Sequence, residues 1–197
     1  MAMKRFCQIL LKILRFKIDT VNIPPEAKKC VLLFAPHTSM TDFVVGRMAL
    51  TAMGVRTFFM IKKEVFWFPL GNLLRALGGV PLDRKHVRNF SEFTNKLFED
   101  NDEIALLISP EGTRKKVTTW KKGFYHIVRD ANVPLVLGYL DYRSRRGGLL
   151  GVQPLTGDYD TDIEEIKKHY YGMRGLHKGQ FDLEDLPYAY PEWLENK

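Results

Sequence analysis

Short apolar runs spaced along the chain, each followed by a stretch with helical periodicity, constrain the fold more than any other feature. "CVLLFA" (Cys30–Ala35), "RTFFMIKK", "EIALLISP" and "VPLVLGYLDY" read as strands. Between them, "MTDFVVGRMALTAMG" reads as a helix ending near Gly54. "VFWFPLGNLLRALGG" turns at Pro69 into a short helix that reaches Gly78–Gly79. "VRNFSEFTNKLFED" repeats apolar side chains at Val87, Phe90, Phe93 and Leu97, and "KKGFYHIVRDAN" continues the alternation as a helix. "VPLDR" is a brief or edge strand, "RSRRGG" a basic turn, "LLGVQPL" another strand and "DTDIEEIKKHYYG" a capped helix, before an acidic, aromatic tail from Gln180. Strands alternating with helices predict an α/β fold: a single domain with a largely parallel or mixed central sheet flanked by helices. In such sheets ligands lie beyond the carboxyl ends of the strands.

The 197-residue length fits one domain, with residues 21–197 as its body. Residues 1–20 stand apart. Phe6, Ile9, Leu10, Ile13 and Leu14 share a helical face, while Lys4, Arg5, Lys12 and Arg15 fall largely elsewhere. That is the pattern of a basic amphipathic helix in a membrane interface, and equally of a helix packed on the domain. No stretch has the roughly 18–20 apolar residues of a membrane span, and no small-residue cleavage site follows the N-terminal segment. Cys7 and Cys30 have no metal-binding spacing and form no disulfide framework, so a reducing, cytoplasmic compartment is expected.

Charge is unevenly spread. Residues 1–150 hold 25 Lys+Arg against 13 Asp+Glu, a net +12, whereas residues 151–197 hold 5 against 10, a net −5. The basic part should attract an anionic membrane, a phosphorylated substrate, an acidic carrier protein or nucleic acid. Nucleic acid is disfavoured, because the cations gather at predicted strand ends and at the N-terminus rather than in a stripe with exposed aromatics.

The chemistry-bearing stretches sit where strands end. In "FAPHTSMTD", His37 follows the strand Cys30–Ala35. Thr38 or Ser39 is placed to cap the next helix, and Asp42 falls in its first turn. A carboxylate returned onto the imidazole would fix its tautomer and leave the other nitrogen free to take a proton. That is a base and its orienting acid without a nucleophile, which a hydroxyl on a bound substrate would supply. The alternative is that His37 merely ends a strand and Asp42 merely favours a helix start. In "LISPEGTRKK", Glu111, Gly112, Thr113 and Arg114 make a tight polar turn. Arg114 with Lys115 and Lys116 offers a phosphate site or, alternatively, a solvated basic turn. In "GGVPLDRK", Arg84 follows a short apolar run, to hold a phosphate or to pair with an acid.

Together these stretches resemble the glycerolipid acyltransferase family, the lysophosphatidic acid acyltransferases. The family's histidine–four residues–aspartate motif is matched by His37 and Asp42. "GGVPLDR" resembles the second motif, ending at Arg84, with Pro81 interrupting it. Glu111–Arg114 matches the third motif, Glu-Gly-Thr-Arg, in full, and "VPLVLG" resembles the fourth. The resemblance spans roughly residues 30–140, with the first and third motifs in order and about seventy residues apart. It implies transfer of a fatty acyl group from acyl-CoA or an acyl carrier protein to the hydroxyl of a lysophospholipid, foremost 1-acylglycerol-3-phosphate. His37 would act as base and Asp42 would orient it. Arg84 and Arg114 would hold the acceptor phosphate. Glu111, with Gly112 and Thr113, would order the turn or contact the acceptor, and Lys122 would be a further phosphate contact. No metal or cofactor is implied. Alternatives are a lyso-ornithine type acceptor, which lacks the phosphate, or a membrane- or carrier-binding module without catalysis. An acceptor that lives in a membrane implies peripheral attachment at the inner face of the cytoplasmic membrane.

Overall fold

The run Lys29–Ala35 becomes the central strand of a seven-stranded sheet, and its alternating side chains account for the layers on either side. The structure is a computed structural model that describes residues 2–20, 24–83 and 90–188. In chain order the helices are α1 (Ala2–Ile13), α2 (Met40–Met53), α3 (Leu70–Ala76), α4 (Phe90–Glu99), α5 (Gly123–Ala131) and α6 (Tyr159–Lys168). The strands are β1 (Lys17–Ile18), β2 (Lys29–Ala35), β3 (Thr57–Lys62), β4 (Gly79–Leu82), β5 (Ile104–Ile108), β6 (Leu135–Asp141) and β7 (Arg146–Gln153).

The spatial order is β1-β7-β6-β2-β5-β3-β4. β6, β2, β5, β3 and β4 run parallel, β7 pairs antiparallel with β6, and β1 runs parallel to β7. The sheet is therefore mixed, as the alternation predicts. Strand β1, only two residues long, has no counterpart among the expected strands. "VPLDR" forms the edge strand β4, and Val87 and Arg84 lie outside the described residues.

Val31, Leu33 and Ala35 of β2 face one core, built with Phe98 of α4, Phe124 and Ile127 of α5, Ile163 and Ile166 of α6, and Tyr170, Met173, Phe181 and Leu183 beyond α6. Leu32 and Phe34 face the other side, against α1 and α2 through Leu11, Val45, Ala49 and Leu50. Helices cover both faces because each face of a parallel sheet is apolar.

Helix α1 packs on the domain and also carries an outward apolar flank. Cys7 and Leu11 are buried beside α2, and Gln8 Nε2 donates to the Ala52 carbonyl at 3.3 Å. Met3, Phe6, Ile9, Ile13 and Leu14 are nevertheless exposed, Ile13 to 69%. One apolar flank seals the domain and a second faces outward. Trp67 and Phe68, which precede α3, are exposed to 60% and 82%.

Candidate active site

β2 and β5 are parallel neighbours with Leu33 opposite Ile108, so the chains leaving them emerge at the same edge of the sheet. That register carries His37 and Glu111 to one place. The backbone N–H of His37 donates to Glu111 Oε1 at 3.0 Å, and Ser109 Oγ donates to Glu111 Oε2 at 2.7 Å. The Glu-Gly-Thr-Arg turn is thus hydrogen-bonded directly to the backbone of the histidine.

Asp42 is wholly buried and fully engaged. Ser39 caps α2: its hydroxyl accepts from Asp42 N at 2.9 Å while Asp42 accepts from Ser39 N at 2.8 Å, a reciprocal capping box. Thr38 N, Thr38 Oγ1 and Ser39 Oγ also donate to the Asp42 carboxylate at 2.5, 2.8 and 2.8 Å. The fifth donor to the carboxylate comes from a remote residue: Leu176 N donates to Asp42 Oδ1 at 3.3 Å. The Asp42 carboxylate is thereby taken up by donors from the turn and from Leu176, and it acts on the imidazole by its charge rather than by a hydrogen bond. The residues explain this outcome, since a hydroxyl pair at 38 and 39 competes for the carboxylate at shorter range than the ring does.

The half-buried His37 imidazole is held below its ordinary titration range. Burial is the chief cause. The Asp42 charge pulls the other way, and the Arg114 guanidinium adds to the lowering. A neutral imidazole at neutral pH is what a general base requires. Glu111, 5% exposed, is pushed up to about 7, first by burial and in small part by the Asp42 charge, against the hydrogen bonds from His37 N and Ser109.

The remaining predicted residues divide. Arg114 is exposed at the rim and close enough for its charge to bear on His37. Gly112 has φ +62°, and a Cβ there would lie 2.7 Å from Lys121 Cδ, so glycine both permits the turn and admits the lysine over it. Thr113 Oγ1 accepts from Lys115 N at 3.3 Å, which tightens the turn. Lys122 is directed elsewhere: its ammonium lies 4.3 Å from the Tyr159 ring centroid and 3.7 Å from Asp160 Oδ1, both on α6. Arg84 lies outside the described residues.

A model of the acyltransferase family matches residues 16–137, from β1 into β6. The chain belongs to the acyltransferase family. His37, Asp42 and Glu111–Arg114 all lie inside the matched stretch. The fold is similar to that of the 1-acyl-sn-glycerophosphate (LPA) acyltransferase PlsC from Thermotoga maritima, with a TM-score of 0.57 and 18% identity over 84% of this chain and 75% of that one. A comparison with curated protein sequences finds no match.

Three features of this candidate site escaped the sequence reading. Ser109 orders Glu111 from the first position after β5. Thr38 both donates to Asp42 and accepts from His177 N at 3.1 Å. The segment after α6, "YYGMRGLHKG", lies against the His37–Asp42 turn. Its three glycines are a signal of close backbone approach that could have marked it.

Proposed function

We propose that this acyltransferase moves a fatty acyl group from a thioester, acyl-CoA or acyl carrier protein, to the hydroxyl of a lysophospholipid, foremost 1-acylglycerol-3-phosphate, giving phosphatidic acid. The observation that carries this reading is the meeting of His37, Asp42, Glu111 and Arg114 at the carboxyl ends of β2 and β5. The reaction is direct. The neutral His37 imidazole takes the acceptor hydroxyl proton as the oxygen attacks the thioester carbonyl. The tetrahedral intermediate collapses with cleavage of the C–S bond, and the imidazolium returns the proton to the departing thiolate. Asp42 stabilises the imidazolium that forms between these steps. Arg114, at the rim, meets the acceptor phosphate with a planar fork of donors, and Arg84 does so from the chain after β4. That PlsC is an LPA acyltransferase supports the choice of acceptor.

The same reading places the protein on an anionic membrane at the inner face of the cytoplasmic membrane. Among the described residues no helix is long and apolar enough to cross a bilayer. The exposed Phe6, Ile9 and Ile13 of α1, with Lys4, Arg5, Lys12 and Arg15 around them, suit a helix lying in the headgroup region.

The test is incubation of the purified protein with acyl-CoA and acyl carrier protein thioesters and a panel of lysolipids, with products identified by mass. A new ester on 1-acylglycerol-3-phosphate, absent with His37→Ala, is expected. No acylated product from any pair would overturn the reading, and product only from phosphate-free acceptors would move the acceptor to the lyso-ornithine class.

A further inference from the structure

The segment that follows α6 runs across the ends of two strands and fastens to both. Tyr170, fully buried, donates its hydroxyl toward the Leu33 carbonyl of β2 at 3.3 Å and the Gly138 carbonyl of β6 at 3.2 Å. Arg174 N then donates to Asp141 Oδ1 at 2.9 Å, and the Arg174 carbonyl accepts from Tyr142 N at 2.8 Å. Two residues on, Leu176 N donates to Asp42 Oδ1 and His177 N to Thr38 Oγ1. Phe181 and Leu183 return the chain to the core, Gly172 N donates to the Leu183 carbonyl at 2.9 Å, and the Tyr188 hydroxyl donates to Asp141 Oδ2 at 2.6 Å. Two wholly buried aspartates, Asp42 in the first turn of α2 and Asp141 at the end of β6, each receive a backbone N–H from this one strap.

The strap supplies something the local cap does not. The donors from Thr38 and Ser39 fix Asp42 relative to its own turn, since they move with it. Only a partner from elsewhere in the chain fixes that turn relative to the sheet. Glu111 does so on the β5 side, through His37 N. The strap does so on the β6 side, so the turn is gripped between both neighbours of β2. Contact is tight: a Cβ on Gly175 would stand 2.4 Å from Thr38 Oγ1 and 2.5 Å from Thr38 Cγ2.

We propose that the backbone N–H groups of Leu176 and His177, seated by Gly175, are positioning groups for the acyl-transfer centre, holding Asp42 and Thr38 in register with His37. The strap thereby belongs to the site although it lies beyond the stretch that the family model matches. This rests on the acyl-transfer reading above.

The experiment compares Gly175→Ala and Thr38→Val with a strap control, Gln180→Ala, which alters an exposed side chain. The groups that bear on His37 are Asp42 on α2, Glu111 and Arg114 on the loop after β5, and the strap at Thr38. Among these the variants displace the Asp42 contact and leave Glu111 and Arg114 in place. With Asp42 charge withdrawn, the His37 titration followed by NMR of its ring protons moves downward. Loss of a hydrogen bond to a charged group lowers kcat about ten-fold or more, with KM for donor and acceptor changed by less than about two-fold. In the Gly175→Ala background, Thr38→Ser removes the methyl, one of the two Thr38 atoms that the new Cβ meets, frees the hydroxyl to turn away from the other clash, and restores part of kcat. Gln180→Ala behaves as wild type. A Gly175→Ala protein that only melts earlier, with wild-type kcat and an unmoved His37 titration, overturns the proposal. If Gly175→Ala does not fold, Thr38→Val carries the same test, and an unmoved titration there overturns it equally. A wild-type protein that transfers no acyl group defeats the acyl-transfer reading instead, while the titration still reports on the strap.

Discussion

The Glu111 carboxylate accepts the backbone N–H of His37 across 74 positions of the chain, at 3.0 Å. A side chain of one motif thus sets the backbone of another, and the acid that does so titrates near neutrality. Burial raises Glu111 from 4.5 to about 7. A group whose folded pKa is raised contributes stability that is full below its unfolded pKa and lost as pH rises through the folded value. The window is therefore about pH 4.5 to 7, and the gap corresponds to on the order of 3 kcal/mol. Glu111→Gln keeps an acceptor for His37 N and a partner for Ser109 but does not ionise. Denaturant unfolding across that pH range should show wild-type stability declining relative to Glu111→Gln. Parallel pH dependences for the two proteins would remove Glu111 as the titrating group.

The proposed base titrates low. Burial depresses His37, and Arg114 adds to this against the opposing Asp42 charge. The acid limb of kcat/KM, which reports the free enzyme, should fall below the 6.5 of an unperturbed imidazole. Arg114→Ala removes one lowering influence, so the limb should move up. A limb at or above 6.5 in the wild type, or a downward move in Arg114→Ala, contradicts this ordering of causes.

Asp42→Asn should cost stability as well as rate. The amide brings a donor into a pocket where Thr38 N, Ser39 N and Leu176 N already donate. One buried donor is left without an acceptor, about 1–3 kcal/mol, equivalent to a melting point roughly 3–10 °C lower for a domain of this size. His37→Ala, at a half-buried position whose ring forms no hydrogen bond among those described, should abolish transfer with much less change in melting point. Comparable thermal losses for the two would mean that His37 is structural.

Arg114→Ala should weaken the acceptor and spare the donor. Charge-assisted hydrogen bonds contribute about 1.5–3 kcal/mol each, hence a ten- to hundred-fold loss in acceptor efficiency. Arg114→Lys should recover only part, as charge returns without the fork. Steady-state kinetics with 1-acylglycerol-3-phosphate and a phosphate-free analogue decide the matter, and equal losses on both would end the phosphate assignment.

At α1 the structure changes which variant is informative. Truncation of residues 1–17 would remove Leu11 and Cys7 from the core, and Leu11→Ala alone should cost about 2–5 kcal/mol. The triple change Phe6→Ser, Ile9→Ser and Ile13→Ser touches only exposed side chains. It should lower binding to anionic vesicles while leaving the melting point nearly unchanged. Undiminished vesicle sedimentation would remove this flank as the attachment site.

The strand–helix order was legible because β2, β5 and β6 carry continuous apolar runs that only a covered sheet accommodates. The meeting of His37 with Glu111 was legible as well, since both follow such runs at the same end of a parallel sheet. Periodicity failed at α1 for a definite reason. Cys7 and Leu11 face inward while Phe6 and Ile13 face outward, so the apolar surface wraps too far round the helix for spacing to name the inner side. It failed at Asp42 because the hydroxyls at 38 and 39 compete with the ring for its oxygens, which spacing alone does not weigh. It failed at the strap because residues 171–188 have no regular period, and their hydrogen bonds go to groups more than a hundred positions away at Asp42 and Thr38.

His37, the proposed base, hangs from β2, which has hydrogen-bonded neighbours on both sides and is shielded by helices above and below. Amides in such a strand exchange with solvent only when the whole domain opens, whereas frayed ends and lids exchange early. The His37–Asp42 turn is therefore anchored to the last part of the molecule to come apart. On heating, loss of turnover and loss of secondary structure should occur over one temperature interval, with no inactive but folded species preceding the transition.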